Sequence, residues 1–265
     1  MIKNIRVFPN NNVKSLEAAE FICDRFSSRG FRVCDNGYDL AIAVGGDGSF
    51  LRMVRENNFD SNIHYVGINL GTLGFAQEVN IDSLDDFITE LEIGKFKIEE
   101  IGVQETLINY DNKVDSFYSL NEMVLRDKRL GALKFDVKIN DDFLERYVGD
   151  GILVATSFGS TAQNKSYGGS IVYNELSSLQ ITPIAPISSK VFRSISNSII
   201  VPSGYDIRFI PFTDRKDMIV TIDGNINVYD NVEEVRTKMD KKKIKYLRFS
   251  RYNFAQKLNE KILND

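Results

Sequence analysis

Apolar positions along the first hundred residues come in short runs separated by segments of helical period. Ile5, Val7 and Phe8 mark a first strand. Leu16, Ala19, Cys23 and Phe26 stand at helical spacing over residues 14–29, and Gly30 follows as a stop. Residues 31–34 read as a short second strand, and Leu40 to Val44 as a buried one. That run leads directly into Gly45-Gly46-Asp47-Gly48 and then into a helix carrying Phe50, Leu51 and Val54. A strand at 63–69 and a helix at 83–93 follow. The helix has Leu84, Phe87, Ile88 and Leu91 on its apolar face, Ser83 and Asp86 spaced as a capping box, and Gly94 at its end. Alternation of strand and helix predicts a parallel α/β domain over residues 1–98.

Beyond residue 98 the apolar period changes to two. Thr106, Ile108 and Tyr110 alternate, as do Phe135, Val137 and Ile139, with strand-like runs at 117–125 and 152–155. Asn140-Asp141-Asp142 supplies a hairpin turn. Further strands are predicted at 198–201, 206–212, 217–222 and 243–249, which gives an all-β domain, a β-sandwich, over residues 99–251. A short helix interrupts it at 161–167. Residues 175–197, rich in Ser and Pro, read as an irregular ordered loop. Residues 236–251 contain eight Lys or Arg against one Asp and read as a solvated strand face. Phe254, Leu258 and Ile262 predict a helix within 252–265 that packs back on the first domain.

Composition narrows the class without naming a chemistry. A chain of 265 residues, 43% hydrophobic and 26% charged, can build two modest cores. Its net charge of −4 and pI near 5.3 point away from nucleic acid and anionic membrane surfaces. No signal pattern or membrane-spanning run is expected, so the predicted location is cytoplasmic. Cys23 and Cys34 lack metal-ligand spacing and read as buried reduced thiols. With His64 as the sole histidine, chemistry must rest mainly on carboxylates, hydroxyls, amides and backbone.

Three polar clusters interrupt the apolar pattern. The glycine turn at 45–48 removes side chains in front of a helix N-terminus, whose free N–H groups and dipole suit a phosphate. Asp47 is awkward beside a phosphate, and its carboxylate suits either proton removal from a hydroxyl or metal binding. A second glycine-rich loop, residues 67–75, also follows a strand, and ligands bind at the carboxyl ends of such strands. Asn121-Glu122 places an amide and an acid within an apolar run, where a polar pair needs partners. Gly149-Asp150-Gly151 and residues 159–166, with Thr161, Ala162, Gln163, Asn164, Lys165 and Ser166, combine flexible backbone with groups able to read a base and a ribose. Neither a Walker A loop nor a Gly-x-Gly-x-x-Gly fingerprint follows the strands.

Taken in order, these motifs resemble the bacterial NAD kinases along the whole chain. The match rests on Gly-Gly-Asp-Gly-Ser at 45–49, Leu-Gly-Thr-Leu-Gly-Phe at 70–75, Leu-Asn-Glu at 120–122, Gly-Asp-Gly at 149–151 and Ser-Thr-Ala-x-Asn-Lys-Ser at 160–166. The first motif alone is shared with phosphofructokinases and with diacylglycerol and sphingosine kinases. A lipid or sugar kinase, or a dinucleotide-binding regulator without activity, are therefore the competing readings. The resemblance implies transfer of the γ-phosphoryl of ATP, or of polyphosphate, to the 2′-hydroxyl of the adenosine ribose of NAD. It implies a divalent metal, magnesium with ATP, and a cytoplasmic homodimer or homotetramer. Asp47 would be the catalytic base, with Gly48 beside it and Phe75 against the adenosine. Asn121, Glu122, Asp150, Thr161, Ala162, Gln163, Asn164, Lys165, Ser166, Ala185 and Asp223 would contact the dinucleotide.

Four positions depart from the usual family pattern: Val148 for Arg, Phe158 for Ser, Gln163 for Tyr and Gly224 for His. Loss of the Arg removes a phosphate or carboxylate partner, for which Arg146 is the nearest substitute in sequence. Loss of the Tyr removes a stacking surface. Intact catalysis with altered substrate affinity is the expectation.

Overall fold

The computed structural model describes residues 2–71, 74–214 and 216–263. Thr72 and Leu73 of the second glycine-rich loop lie outside the described residues. In chain order the elements are β1 (Asn4–Pro9), α1 (Val13–Ser28), β2 (Arg32–Val33), β3 (Leu40–Val44), α2 (Asp47–Glu56), β4 (His64–Asn69), β5 (Val79–Asn80), α3 (Leu84–Glu92), β6 (Phe96–Tyr110), β7 (Lys113–Ser119) and β8 (Glu122–Asp127). They continue with β9 (Leu133–Ile139), β10 (Asp142–Thr156), α4 (Gln163–Ser166), β11 (Ser178–Pro186), β12 (Ile199–Pro202), β13 (Asp206–Pro211), β14 (Met218–Ile222), β15 (Asn225–Tyr229), β16 (Val232–Phe249) and α5 (Phe254–Leu258). The chain divides into two units, Met1–Ile101 with Lys242–Asp265, and Gly102–Lys241.

The first unit is an α/β layer. Every residue of β3 is buried, and the strand pairs in parallel with β1 on one side and β4 on the other. A strand covered on both faces reads as a continuous apolar run, which is why residues 40–44 show no alternation. The end of β16 joins this sheet through Lys245↔His64 and Tyr246↔Tyr65, so residues 242–251 belong here and not to the second domain as the sequence suggested. Arg248 is buried, bonded to Glu78 at 2.9 Å and Glu99 at 2.6 Å. The basic run is thus not a uniformly solvated face, because one of its members neutralises two inward carboxylates. Helix α1 is capped by Asn12, whose side chain accepts from the Ser15 amide. At α3 the expected Ser83 cap makes no side-chain bond; Asn80 instead accepts from the Asp82 amide, one turn earlier. Both cysteines are unpaired and half-buried.

The second unit is all-β. Strand β10 pairs with β9 along its first half and with β8 and β11 along its second, with a bulge near Phe143. It therefore serves two sheets, one running β15-β14-β8-β10-β11-β12 and the other β10-β9-β13-β16-β6-β7. Their inner faces enclose one apolar core, with Met123, Leu125, Ile181 and Val220 from the first sheet and Phe135, Val137, Phe209 and Val235 from the second. Within the expected 175–197 loop, residues 178–186 form strand β11, whose Leu179 and Ile181 enter that core. Burial outweighs the local Ser and Pro composition there. The run at 117–125 is likewise two strands, β7 and β8, broken at Leu120-Asn121.

Candidate active site

Asp47 is the first residue of α2, directly after the turn that leaves β3. The sequence folds this way because β3 must end in a turn with little side-chain bulk before a helix of ten residues begins. The Asp47 carboxylate is held by backbone: Oδ2 accepts from the Phe75 amide and Oδ1 from the Ala76 amide, both at 3.0 Å. Gly74 makes that approach possible, since a Cβ there would lie inside the Asp47 carboxylate. Gln77, fully buried, donates to the Gly46 carbonyl at 2.8 Å. The turn and the segment that follows the second glycine-rich loop thus form one hydrogen-bonded piece. Gly48 is exposed, and Phe75 is half-buried.

In the second unit the chemistry follows from strand alternation. Met123 and Leu125 of β8 enter the core, so Glu122, Val124 and Arg126 face outward. Their ladder partners on β10 are Ala155, Leu153 and Gly151, which pair in turn with Gln180, Thr182 and Ile184 of β11. The segment carrying α4 covers this grid. Its Tyr167 packs on Val124, Leu153, Ala155 and Ile184 and bonds Arg126 through its hydroxyl.

Glu122 lies under that cover, 6% exposed. Its Oε2 has no hydrogen-bond partner among the described residues. Burial pushes its carboxyl up to about 8, Asp223 adds to the rise, and a bond from the Gln163 amide opposes it. Glu122 therefore holds its proton at neutral pH and can donate it in a hydrogen bond. Asp223, in the left-handed region at φ 45°, accepts from the amides of Leu120 and Asn121 at 2.8 Å and of Glu122 at 3.1 Å. Its carboxylate shapes the 120–122 turn. Gly159 meets the same turn so closely that a Cβ would overlap the Asn121 carbonyl.

Asn164 is fully buried. Its Nδ2 donates to the Ser160 carbonyl at 3.2 Å and the Ser170 carbonyl at 3.3 Å, and its Oδ1 accepts from the Thr182 hydroxyl at 2.6 Å. An amide so saturated fixes the turn around it. Thr161 and Ala162 are half-buried, while Gln163, Lys165 and Ser166 are exposed around it. The structure thus gathers Asn121, Glu122, Asp223 and residues 161–166. Asp150 and Ala185, both exposed, sit beside Gly151 and Ile184, and the four residues from Gly151 to Ala155 put them about 13 Å further along β10.

Val148 is buried, so no side chain reaches out where Arg is usual. Arg146 does not substitute for it: it pairs with Asp136 at 2.8 Å and lies over the Phe212 ring. The cation on the strip between Glu122 and Gly151 is Arg126, which sequence reasoning missed. Its signal was available, since it shares the parity of Glu122 on one strand. Among the described residues no group of three His, Cys, Asp or Glu side chains converges to hold a metal, and no helix is long and apolar enough to cross a membrane.

Comparison with known proteins places the chain. The model of the ATP-NAD kinase N-terminal domain matches residues 7–96, and that of the ATP-NAD kinase C-terminal domain matches residues 120–248. An NAD kinase of Finegoldia magna is 42% identical over 241 residues, covering 88% of each chain. Yeast NADH kinase complexed with NADH superposes with a TM-score of 0.84 at 21% identity, over 98% of this chain and 87% of that one. An NAD kinase from Archaeoglobus fulgidus in complex with ATP gives 0.69 at 21% identity, over 94% and 93%. At such identities the two structures share the fold.

Proposed function

This chain belongs to the NAD kinase family, and from that premise we propose that Asp47 is the base that deprotonates the adenosine 2′-hydroxyl of NAD as the γ-phosphoryl of ATP is transferred to it. The observation that supports the assignment is the way Asp47 is held. Two backbone amides occupy one lone pair on each oxygen and fix the carboxylate plane, which leaves acceptor sites for an incoming hydroxyl. A ribose hydroxyl is a poor nucleophile, and positioned proton removal contributes about 10²–10⁴-fold. The remainder of phosphoryl transfer is alignment and charge neutralisation.

In this reading the second unit supplies dinucleotide contacts. Neutral Glu122 donates to an acceptor on NAD, and Asn121 offers an amide beside it. Thr161, Ala162, Gln163, Lys165 and Ser166 surround the same turn. Asn164 and Asp223 act by holding its backbone, and Asp150 and Ala185 meet the far part of the ligand. Phe75 packs on the adenosine. Magnesium would be brought by ATP and would supply charge neutralisation on its phosphates. The enzyme acts in the cytoplasm as a homodimer or homotetramer. Ile226 and Val228, exposed along the edge strand β15, support contact with another copy. Incubation with NAD and Mg²⁺ plus either ATP or polyphosphate, with NADP as the readout, tests the activity and selects the donor; no NADP with either donor would refute it.

A further inference from the structure

The segment that holds Asp47 is itself held from the opposite side. Ala76 gives its amide to Asp47 and its carbonyl accepts from the Tyr246 hydroxyl at 2.9 Å. Gln77 gives its side chain to Gly46, and its carbonyl accepts from the Lys257 ammonium at 2.6 Å. Glu78 gives its amide to the Gly67 carbonyl at 3.0 Å, and its carboxylate accepts from Arg248 and from the Phe249 amide, both at 2.9 Å. Three consecutive residues therefore face the glycine turns with one set of groups and the C-terminal segment with another. Tyr246, Arg248 and Lys257 are all buried.

A buried lysine is costly unless something requires it. Burial and the neighbouring Arg248 push the Lys257 ammonium down to about 7, while Glu78, Asp47 and Glu99 support its charge. Asn253 caps α5 by accepting from the Gln256 amide, which sets the turn from which Lys257 reaches inward. Arg248 lies between the rings of Tyr246 and Tyr252, 4.0 Å and 4.1 Å from their centroids, so the cation cannot swing away without losing both faces. Tyr246, Lys257 and Arg248 bond in turn to Ala76, Gln77 and Glu78, the segment whose first amide holds Asp47.

We propose that residues 246–257 form a strap that positions the catalytic carboxylate, with Tyr246 and Lys257 as positioning residues acting through residues 76–78. The inference rests on Asp47 being the base. Displacement of a reacting group by about 1 Å costs as much as 100-fold in rate. Removing either contact should therefore lower kcat and leave NAD binding to the second unit in place.

The test compares Tyr246→Phe, which deletes only the hydroxyl, with Lys257→Met and Asp47→Asn in the full chain. For each variant, kcat, the Kd for NAD and the number of NAD bound per chain are measured. The expected result is a kcat loss of roughly 10- to 100-fold for Tyr246→Phe and Lys257→Met. Their Kd should stay within about twofold and their stoichiometry should match the parent, which a merely unstable protein would not keep. If Lys257→Met does not fold, Tyr246→Phe alone decides. A parental kcat in Tyr246→Phe alongside an inactive Asp47→Asn overturns the strap and leaves the base assignment standing. Activity surviving in Asp47→Asn overturns the base assignment instead.

Discussion

Asp47 and Glu122 are two carboxylates that the fold treats in opposite ways. Asp47 begins a helix and is gripped by two backbone amides across a glycine that leaves room for it. Glu122 sits under a covering turn beside a second acid, with one oxygen unbonded and its proton retained to about 8. The first arrangement presents a fixed acceptor, which suits a base. The second presents a neutral donor, which suits recognition of a polar ligand. Residue type alone does not distinguish the two roles; burial, neighbouring charge and the donors delivered to each carboxylate do.

The largest effect is expected at Gly74. Gly74→Ala should force the Asp47 carboxylate off its two amides and reduce kcat at least about 100-fold, with NAD affinity nearly unchanged. Steady-state kinetics beside calorimetry would check it. Next in size is Asp223→Asn, which weakens the clamp on three amides. NAD affinity should fall about tenfold, in keeping with hydrogen bonds to a charged group. The same change removes a neighbouring negative charge, so the Glu122 carboxyl should titrate at lower pH, readable by NMR of labelled glutamate.

The smallest effect is on stability. Glu122 keeps its proton in the folded protein up to about pH 8, whereas the unfolded chain releases it near the ordinary value of 4.5. Between those values the folded state binds more protons, so its contribution to stability is present at low pH and is lost as pH rises toward 8. Glu122→Gln carries no such proton. Its stability relative to the parent should rise steadily between pH 5 and pH 8, measured by urea unfolding. A difference that is flat with pH would remove the donor role.

Much of this was legible in the chain. The buried run at 40–44, the glycine turn and the amphipathic start of α2 lie within fifteen residues, and local pattern is enough to read them. The change of period near residue 98 marks the passage from α/β to all-β, and Asn140, at φ 55°, turns the hairpin as its type suggests. What escaped were contacts between distant residues. Asp223 clamps amides about a hundred positions away, and Lys257 grips a carbonyl 180 positions away. Neither partner carries a local mark. Arg248 sits in a run of exposed and half-buried cations and is itself buried, between Glu78 and Glu99. Strand β11 hides in Ser- and Pro-rich sequence because its burial comes from neighbouring strands and from the α4 turn above it, and not from its own pattern.

Catalysis in this enzyme is proposed to depend on removal of the ribose proton by Asp47. Its most direct test is kcat for NADP formation by Asp47→Asn, with the Kd for NAD measured on the same preparation. The expected kcat is lower by at least about 100-fold, with Kd within a few-fold of the parent. A kcat within tenfold of the parent would contradict it.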